Sequence, residues 1–396
     1  MGRLRARHWL AVALALGLVG AAYAFSRTED GRSASANLGS TVVPSEDASS
    51  RAGEAGEAED PDRLAMEDEE PGDETAARAG PAAPFTGLPI DRDAVDRPAL
   101  MVKIDNHPRA RPQAGLDQAD IVFDLRAEGI TRFAAVFQSR IPDPVGPVRS
   151  SRTSDFDLLR GFDNPLYASS GGNDYVANGL RSLPIVELTN RTRNEYFRDF
   201  SRPPPHNLYV NASDLYALAP DDLPRPRPWF EYRGPDDELP TAAQPAAGPV
   251  TIAFTGSPLV THEWDETVGG WLRTQDGAPH LTVDGDQLAP ENVLIFVTDY
   301  STSPADPISP EVRSTGGGPL VVLTAGHVVF GTWERPSAED KPVLLDTDGD
   351  PIALTPGRTW VLMPEEGQVR FAPGQAVDES VDEAIAAPAW PNPSVL

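Results

Sequence analysis

Apolar runs along this chain are short, and their period changes from one stretch to the next. "ALMVKI" (99–104), "ADIVFDLR" (119–126) and "RFAAVFQS" (132–139) have strand length and strand composition. The last two flank Glu128 and Gly129, which predicts a hairpin. "TSDFDLLRGF" (153–162) instead has helical spacing behind Ser154 or Asp155 as a possible cap. "NPLYASSGG" (164–172) reads as a strand entering a glycine turn, and "NDYVANGLRSL" (173–183) as a short helix after it. This mixture predicts an N-terminal α/β domain over residues 85–219.

Two Pro-rich charged segments, "PDDLPRPRPW" and "GPDDELPTAAQPAAGP", predict an interdomain linker at 220–249. From Val250 the pattern changes to short strands separated by turns, among them "VTIAFT", "GGWLRT", "NVLIFVTDY", "PLVVLTAGHVVFGTW" and "TWVLMP". They predict a smaller, mostly β domain over 250–372, a barrel or a sandwich, followed by a loose tail at 373–396. The expected fold class is therefore α+β.

The first 84 residues read differently. Arg3, Arg5 and Arg7 precede an uncharged run from Trp9 to Ser26 that contains Ala22-Tyr23-Ala24, the pattern of a signal peptide or of an N-terminal membrane anchor over 1–25. Residues 26–84 are acidic, rich in Ala, Gly and Pro and nearly free of aromatics. Such a segment buries too little apolar surface to offset its ordering entropy, so a disordered linker is expected. The rest of the chain is expected outside the cytoplasm, secreted or held to the cell membrane.

Charge sharpens the picture. The 396 residues carry a formal net charge of −27, which disfavours nucleic acid and anionic membrane surfaces as partners for the molecule as a whole. Residues 27–84 hold 15 acids and 5 bases, and residues 203–396 hold 29 and 9, whereas residues 101–202 hold 13 and 14. One segment of about a hundred residues is thus near neutral. The chain has no Cys, which excludes disulfides, thiolate chemistry and a lipidated N-terminal Cys.

The candidate chemistry lies in that near-neutral segment. Asp105, Asn106 and His107 follow a strand end, with Arg109 close behind, and Glu128 and Arg132 surround the hairpin turn. Arg149 and Arg152 follow a Gly-Pro turn ahead of a helix, Asp174 opens the next helix, and His206 and Asn207 follow "PPP". Guanidinium groups suit bidentate recognition of phosphate or carboxylate, so an anionic-ligand pocket is one reading. The other is a structural network in which the same arginines pair with the same acids. No resident cofactor or metal is expected on the binding reading. In such a pocket Asp105, Glu128, Asp155 or Asp174 is able to hold Mg²⁺ beside the anion or to orient His107 and His206; on an enzymatic reading Asp105 or Asp155 would hold the metal while an arginine stabilises developing charge.

Elsewhere the bland reading wins. "DTDGD" (346–350) lacks the Gly and Glu positions of an EF-hand and reads as a hairpin turn. His262, His280 and His327 have no second His at metal spacing, and Trp333 and Trp360 read as packing residues.

"RPALMVKIDNHPRARPQAGLDQADIVFDLRAEGITRFAAVF", "VGPVRSSR", "HNLY", "FGTWERP" and "LTPGRTWV" together resemble the YerB-like family, a domain of unknown function in bacterial envelope lipoproteins. The resemblance covers roughly residues 85–365 and implies an exported, two-part protein; it brings no catalytic residues. A fainter similarity in the order of features, a strand pair followed by an Arg loop, is to LytR-CpsA-Psr phosphotransferases, and it is analogy only.

The expected function is binding of an anionic envelope ligand, a phosphorylated glycopolymer or lipid-linked precursor, with the membrane reached through the N-terminal helix if that helix is uncleaved. The alternatives are a Mg²⁺-dependent phosphoryl or glycopolymer transferase and an envelope interaction scaffold.

Overall fold

The computed structural model describes residues 80–190, 193–256, 259–378 and 381. The chain divides into units of residues 1–68 and 69–396, and every described residue lies in the second. The expected signal or anchor, most of the acidic linker and most of the tail fall outside the described residues. Among the described residues no helix is long and apolar enough to cross a membrane.

Strands dominate. The first half contributes β1 (Leu100–Asp105), β2 (Ile121–Arg126), β3 (Thr131–Phe137), β4 (Leu166–Ala168) and β5 (Val186–Glu187), with helix α1 (Asp155–Arg160) before β4 and α2 (Asp174–Leu180) before β5. A small hairpin of β6 (Tyr196–Arg198) and β7 (Leu208–Val210) leads to α3 (Ala212–Tyr216) and then to β8 (Gln244–Pro245). Next come β9 (Val250–Ala253), β10 (Leu259–Asp265), β11 (Gly270–Gln275) and β12 (Ala278–Pro279). The chain continues through β13 (Asn292–Phe296), β14 (Tyr300–Thr302), β15 (Pro310–Val312), β16 (Gly316–Thr324) and β17 (His327–Arg335). It ends its described strands with β18 (Val343–Asp346), β19 (Thr359–Leu362) and β20 (Val369–Arg370).

One large mixed sheet runs β18-β17-β16-β13-β19-β2-β3-β1-β4-β5, with β8 added along β17. A second sheet runs β12-β11-β10-β9-β20. The α+β expectation, with its α/β first domain and separate barrel or sandwich, is therefore corrected: the fold is mostly β around a sheet that draws strands from both halves of the chain. Helical spacing at 153–162 and 173–183 does give helices, but they are only six and seven residues long. The strands from β13 onward do not close on themselves, because β19 pairs in parallel with β13 on one side and with β2 on the other. Parallel pairing between segments so distant in the chain leaves no local periodic mark.

Both faces of the large sheet are covered, which explains strands such as "NVLIF" and "TWVL" that are buried at every residue. Leu100, Val102 and Ile104 of β1 share one core with Val250, Ile252, Val260 and Trp271 of the smaller sheet. Met101 joins the opposite core, with Leu158 and Leu159 of α1, Val176 and Leu180 of α2, and Trp229. The two-residue period of an extended strand divides β1 between them. Trp333 and Trp360 are buried packing residues, as expected. At "DTDGD" the chain turns back so that Leu345 bridges Pro351, with Asp346 accepting the amides of Asp348 and Asp350.

Candidate functional site

The site forms where three backbone segments meet at the C-terminal end of β1. Antiparallel register places Arg132, the second residue of β3, opposite Asp105, and the β2–β3 turn brings Glu128 above them. Gly129 occupies that turn at φ +68°, a left-handed conformation that favours glycine. The segment at 145–152 then crosses beside β1: the Asp105 amide donates to the Pro147 carbonyl at 2.9 Å and the Arg149 amide to the Lys103 carbonyl at 2.8 Å. Gly146 lets this crossing run close to β7, since a Cβ there would lie 2.8 Å from the Tyr209 ring and 2.9 Å from the Leu208 carbonyl. The same β7 approach carries His206 and Asn207 in, through the pairing of Val145 with Val210 and of Val148 with Leu208.

Asp105 is fully buried, yet its carboxylate is engaged on every side. Oδ1 accepts the His107 amide at 3.0 Å, and Oδ2 lies 2.7 Å from Nδ1 of His206 and 3.4 Å from Nε of Arg149. The His107 and His206 rings stack with centroids 4.1 Å apart and planes 16° from parallel. The Arg109 amide donates to Nδ1 of His107 at 3.1 Å. Burial, and then the proximity of His206, pull the His107 pKa below its ordinary value.

Glu128 is the second acidic centre. It accepts Nε of Arg152 at 2.5 Å, Nη2 of Arg152 at 2.9 Å, Nη2 of Arg132 at 2.9 Å and the Ser309 hydroxyl at 2.5 Å. Burial alone would push its pKa up, but Arg152, Arg132 and Ser309 outweigh it and hold the carboxyl at about 2. Arg132, nearly buried, falls to about 10 through burial and the neighbouring Arg152, so it keeps its charge at neutral pH. Arg152 also donates Nη1 to the Ser151 carbonyl and faces a cleft of about 240 Å³ with Ser150, Ser170 and Asn173.

Beneath this layer lies a buried ion pair. Nζ of Lys103 donates to Asp155 at 2.5 Å, and Asp155 also accepts the Arg152 amide at 2.8 Å and the Tyr167 hydroxyl at 3.1 Å. Both side chains are sealed from solvent. Burial lowers the Lys103 pKa more than Asp155 restores it. With its carbonyl on the Arg149 amide and its ammonium on Asp155, Lys103 fixes both ends of the 149–152 loop.

Most of the residues singled out in the sequence are gathered here, with different parts to play. Asp105, His107, Arg149 and His206 form one group, and Glu128, Arg132 and Arg152 another. Asn106 faces away, donating to Thr131 at 2.8 Å and to Gln275 of the smaller sheet at 3.1 Å. Asn207 is buried and accepts Nη1 of Arg198 at 2.7 Å, while its own Nδ2 has no partner among the described residues. Arg109 is exposed. Asp174 sits at the exposed start of α2, its carboxylate with no hydrogen bond or ion pair among the described residues. Among the described residues no three acidic or imidazole groups converge as metal ligands would; each acid of the cluster is turned to a cation instead.

Two participants escaped the sequence reading. Lys103 had a signal, since it is one of only two lysines and stands inside an apolar strand. Ser309 had none, lying 181 positions from the Glu128 it touches.

Arg149 differs from the other two arginines. Asp105 is its only side-chain partner among the described residues, and of its three guanidinium nitrogens only Nε is sealed from solvent. Nε2 of His206 and Nε2 of His107 likewise carry no partner among the described residues and are not sealed from solvent. The arrangement thus presents a guanidinium edge and two ring nitrogens around one oriented carboxylate.

Comparison with known proteins covers both halves. The N-terminal domain of a protein family of unknown function, DUF3048, matches residues 85–224, and its C-terminal domain matches residues 250–361. A Bacillus subtilis (strain 168) relative, named "Putative lipoprotein YerB", is 29% identical over 311 residues, which span 74% of this chain and 90% of the relative. The crystal structure of the YerB protein from Bacillus subtilis superposes with a TM-score of 0.64 at 26% identity, covering 73% of this chain and 99% of that one.

Proposed function

We propose, from the premise that this chain belongs to the DUF3048 family, that it is an extracytoplasmic protein which binds a phosphorylated envelope ligand at the Arg149, His107 and His206 wall. Export is supported by its Bacillus subtilis relative, which is named a putative lipoprotein, and by the N-terminal pattern of arginines and apolar residues. On this reading the apolar segment from Trp9 to Ser26 supplies any membrane attachment. The observation that carries the binding reading is the open edge of Arg149. Its neighbours Arg132 and Arg152 are committed to Glu128, whereas among the described residues the Arg149 side chain pairs only with Asp105, at 3.4 Å, and keeps donors free in solvent. A planar guanidinium with unbonded N–H groups beside two imidazoles is suited to phosphate oxygens.

Thermal-shift titration of the full chain with inorganic phosphate and with pyrophosphate tests this reading, with chloride at matched ionic strength as the control. The expected outcome is a rise in Tm with pyrophosphate that disappears in Arg149→Gln. The reading fails if neither anion moves Tm, or if Arg149→Gln responds as the wild type does.

A further inference from the structure

The stacked histidines carry opposite tautomers, and that opposition points to chemistry beyond binding. The 2.7 Å contact between Nδ1 of His206 and the Asp105 carboxylate places a proton on Nδ1, so in the neutral form of the ring the lone pair is on Nε2. His107 is the reverse. Its Nδ1 accepts the Arg109 amide at 3.1 Å, so the proton of its neutral ring is on Nε2 and points outward as a donor. A proton acceptor and a proton donor are thus held by rings only 4.1 Å apart, next to the Arg149 guanidinium. Asp105 cannot rotate away, because its other oxygen is fixed by the His107 amide and its backbone carbonyl by Nε2 of Gln113.

We infer that the site hydrolyses the phosphate ester or anhydride it binds, with His206 as general base and Asp105 as its positioning residue. This rests on the anion-binding reading above. Nε2 of His206 takes a proton from a water molecule whose oxygen forms a bond to phosphorus. The bond from phosphorus to the leaving oxygen breaks, and its electron pair departs with that oxygen. The proton held by His206 is then returned to the leaving oxygen, giving an alcohol or a phosphate and restoring the neutral imidazole. Arg149 and Nε2–H of His107 hydrogen-bond the non-bridging oxygens as charge builds on them.

The test separates turnover from binding in the same preparations of the full chain. Release of nitrophenolate from p-nitrophenyl phosphate and from bis(p-nitrophenyl) phosphate reads turnover; calorimetry with methylenediphosphonate, which cannot be hydrolysed, reads binding. In His206→Asn the amide nitrogen replaces Nδ1 on Asp105 and no base remains. The expected result is wild-type turnover of at least one ester, a fall in kcat of about 10²–10⁴-fold in His206→Asn, and diphosphonate binding that persists and weakens by no more than about tenfold, the loss of one hydrogen bond from the binding wall. His206→Gln serves as the second variant should His206→Asn not fold. If the wild type binds diphosphonate but releases no nitrophenolate, or if either variant turns over as fast as the wild type, the hydrolysis inference is overturned and the binding reading stands. If the wild type does not bind diphosphonate, both fall.

Discussion

Asp105 and Asn106 are neighbours in the chain, and their side chains open two polar clusters of contrasting character. Asp105 faces Arg149 and the histidine pair, a cluster with donors and acceptors still free at the solvent edge. Asn106 faces the gap between the two sheets and joins Thr131, Gln275 and Gln113. From there the network runs on. Oε1 of Gln113 accepts from Nε2 of His280 at 2.8 Å, His280 contacts Arg273, and Arg273 reaches Gln275 at 2.8 Å and Asp124 at 2.7 Å. Arg273 also lies over the Trp360 ring, 4.8 Å from its centroid. Every member of this second cluster is sealed from solvent, and its imidazoles are held neutral, burial pulling the pKa of His280 and of nearby His262 well below the ordinary value. The contrast teaches which polar groups hold the fold together and which are left available for a ligand. A sealed network joins the smaller sheet to the larger, whereas the open cluster keeps bonding capacity at its edge.

The largest effect is expected from breaking the sealed cluster. Arg273→Met leaves the Asp124 carboxylate buried without its guanidinium, a change that costs about 3–5 kcal/mol when one partner of a buried pair is lost. Urea denaturation of the full chain would show it as a lowered midpoint. The double variant Asp124→Leu/Arg273→Met removes both charges and is expected to recover most of that loss. A single-variant cost below about 1 kcal/mol would place Arg273 among the surface ion pairs and remove the contrast.

Much of this contrast was hidden in the sequence for a physical reason. The hairpin around Glu128 and Gly129 and the two helices could be read locally, because turn chemistry and a 3.6-residue period act over a few positions. The parallel insertion of β19 between β13 and β2 could not, since nothing near Thr359 in the chain encodes Ile121 as its partner. The same limit applied to the clusters. Asp105, Arg149 and His206 stood out as polar residues after strand ends and turns, but which arginine would be committed to Glu128 depended on Ser309 and on the crossing at 145–152. His280 looked like an isolated histidine because Gln113, which it contacts, and Asp124, which pairs with the neighbouring Arg273, come from distant segments.

A smaller effect is expected at Glu128, and it depends on pH. Its carboxyl, normally near 4.5, is held at about 2 in the folded chain. A depressed acidic pKa stabilises the fold fully above the unfolded value and loses that stabilisation as pH falls from about 4.5 towards 2. Because the side chain is about a quarter exposed (23%), solvent screening reduces the contribution to about 1–2 kcal/mol. Glu128→Gln should therefore unfold at lower urea than the wild type at pH 7, with the gap narrowing below about pH 4.5, reduced to about 40% at pH 3 and nearly closed only at about pH 2. A gap that stays constant over this range would mean that the Arg132 and Arg152 contacts act through packing rather than charge.

The smallest effect on stability, and the one that sharpens the comparison most, is expected at Arg149. Its side chain is 23% exposed and reaches Asp105 through Nε alone, at 3.4 Å. An ion pair of that length near solvent contributes about 0–1 kcal/mol. Arg149→Gln leaves Asp105 its bonds from His206 and from the His107 amide, so no buried carboxylate is orphaned. The urea midpoint should move by less than the equivalent of about 1 kcal/mol while the pyrophosphate-dependent rise in Tm is lost. A group that carries function without carrying stability has to be under-bonded in the unliganded fold, since the donors it offers to a ligand are donors withheld from the protein. If Arg149→Gln instead destabilised the chain as much as Arg273→Met, both clusters would be structural, and the free edge of Arg149 would have no bearing on binding.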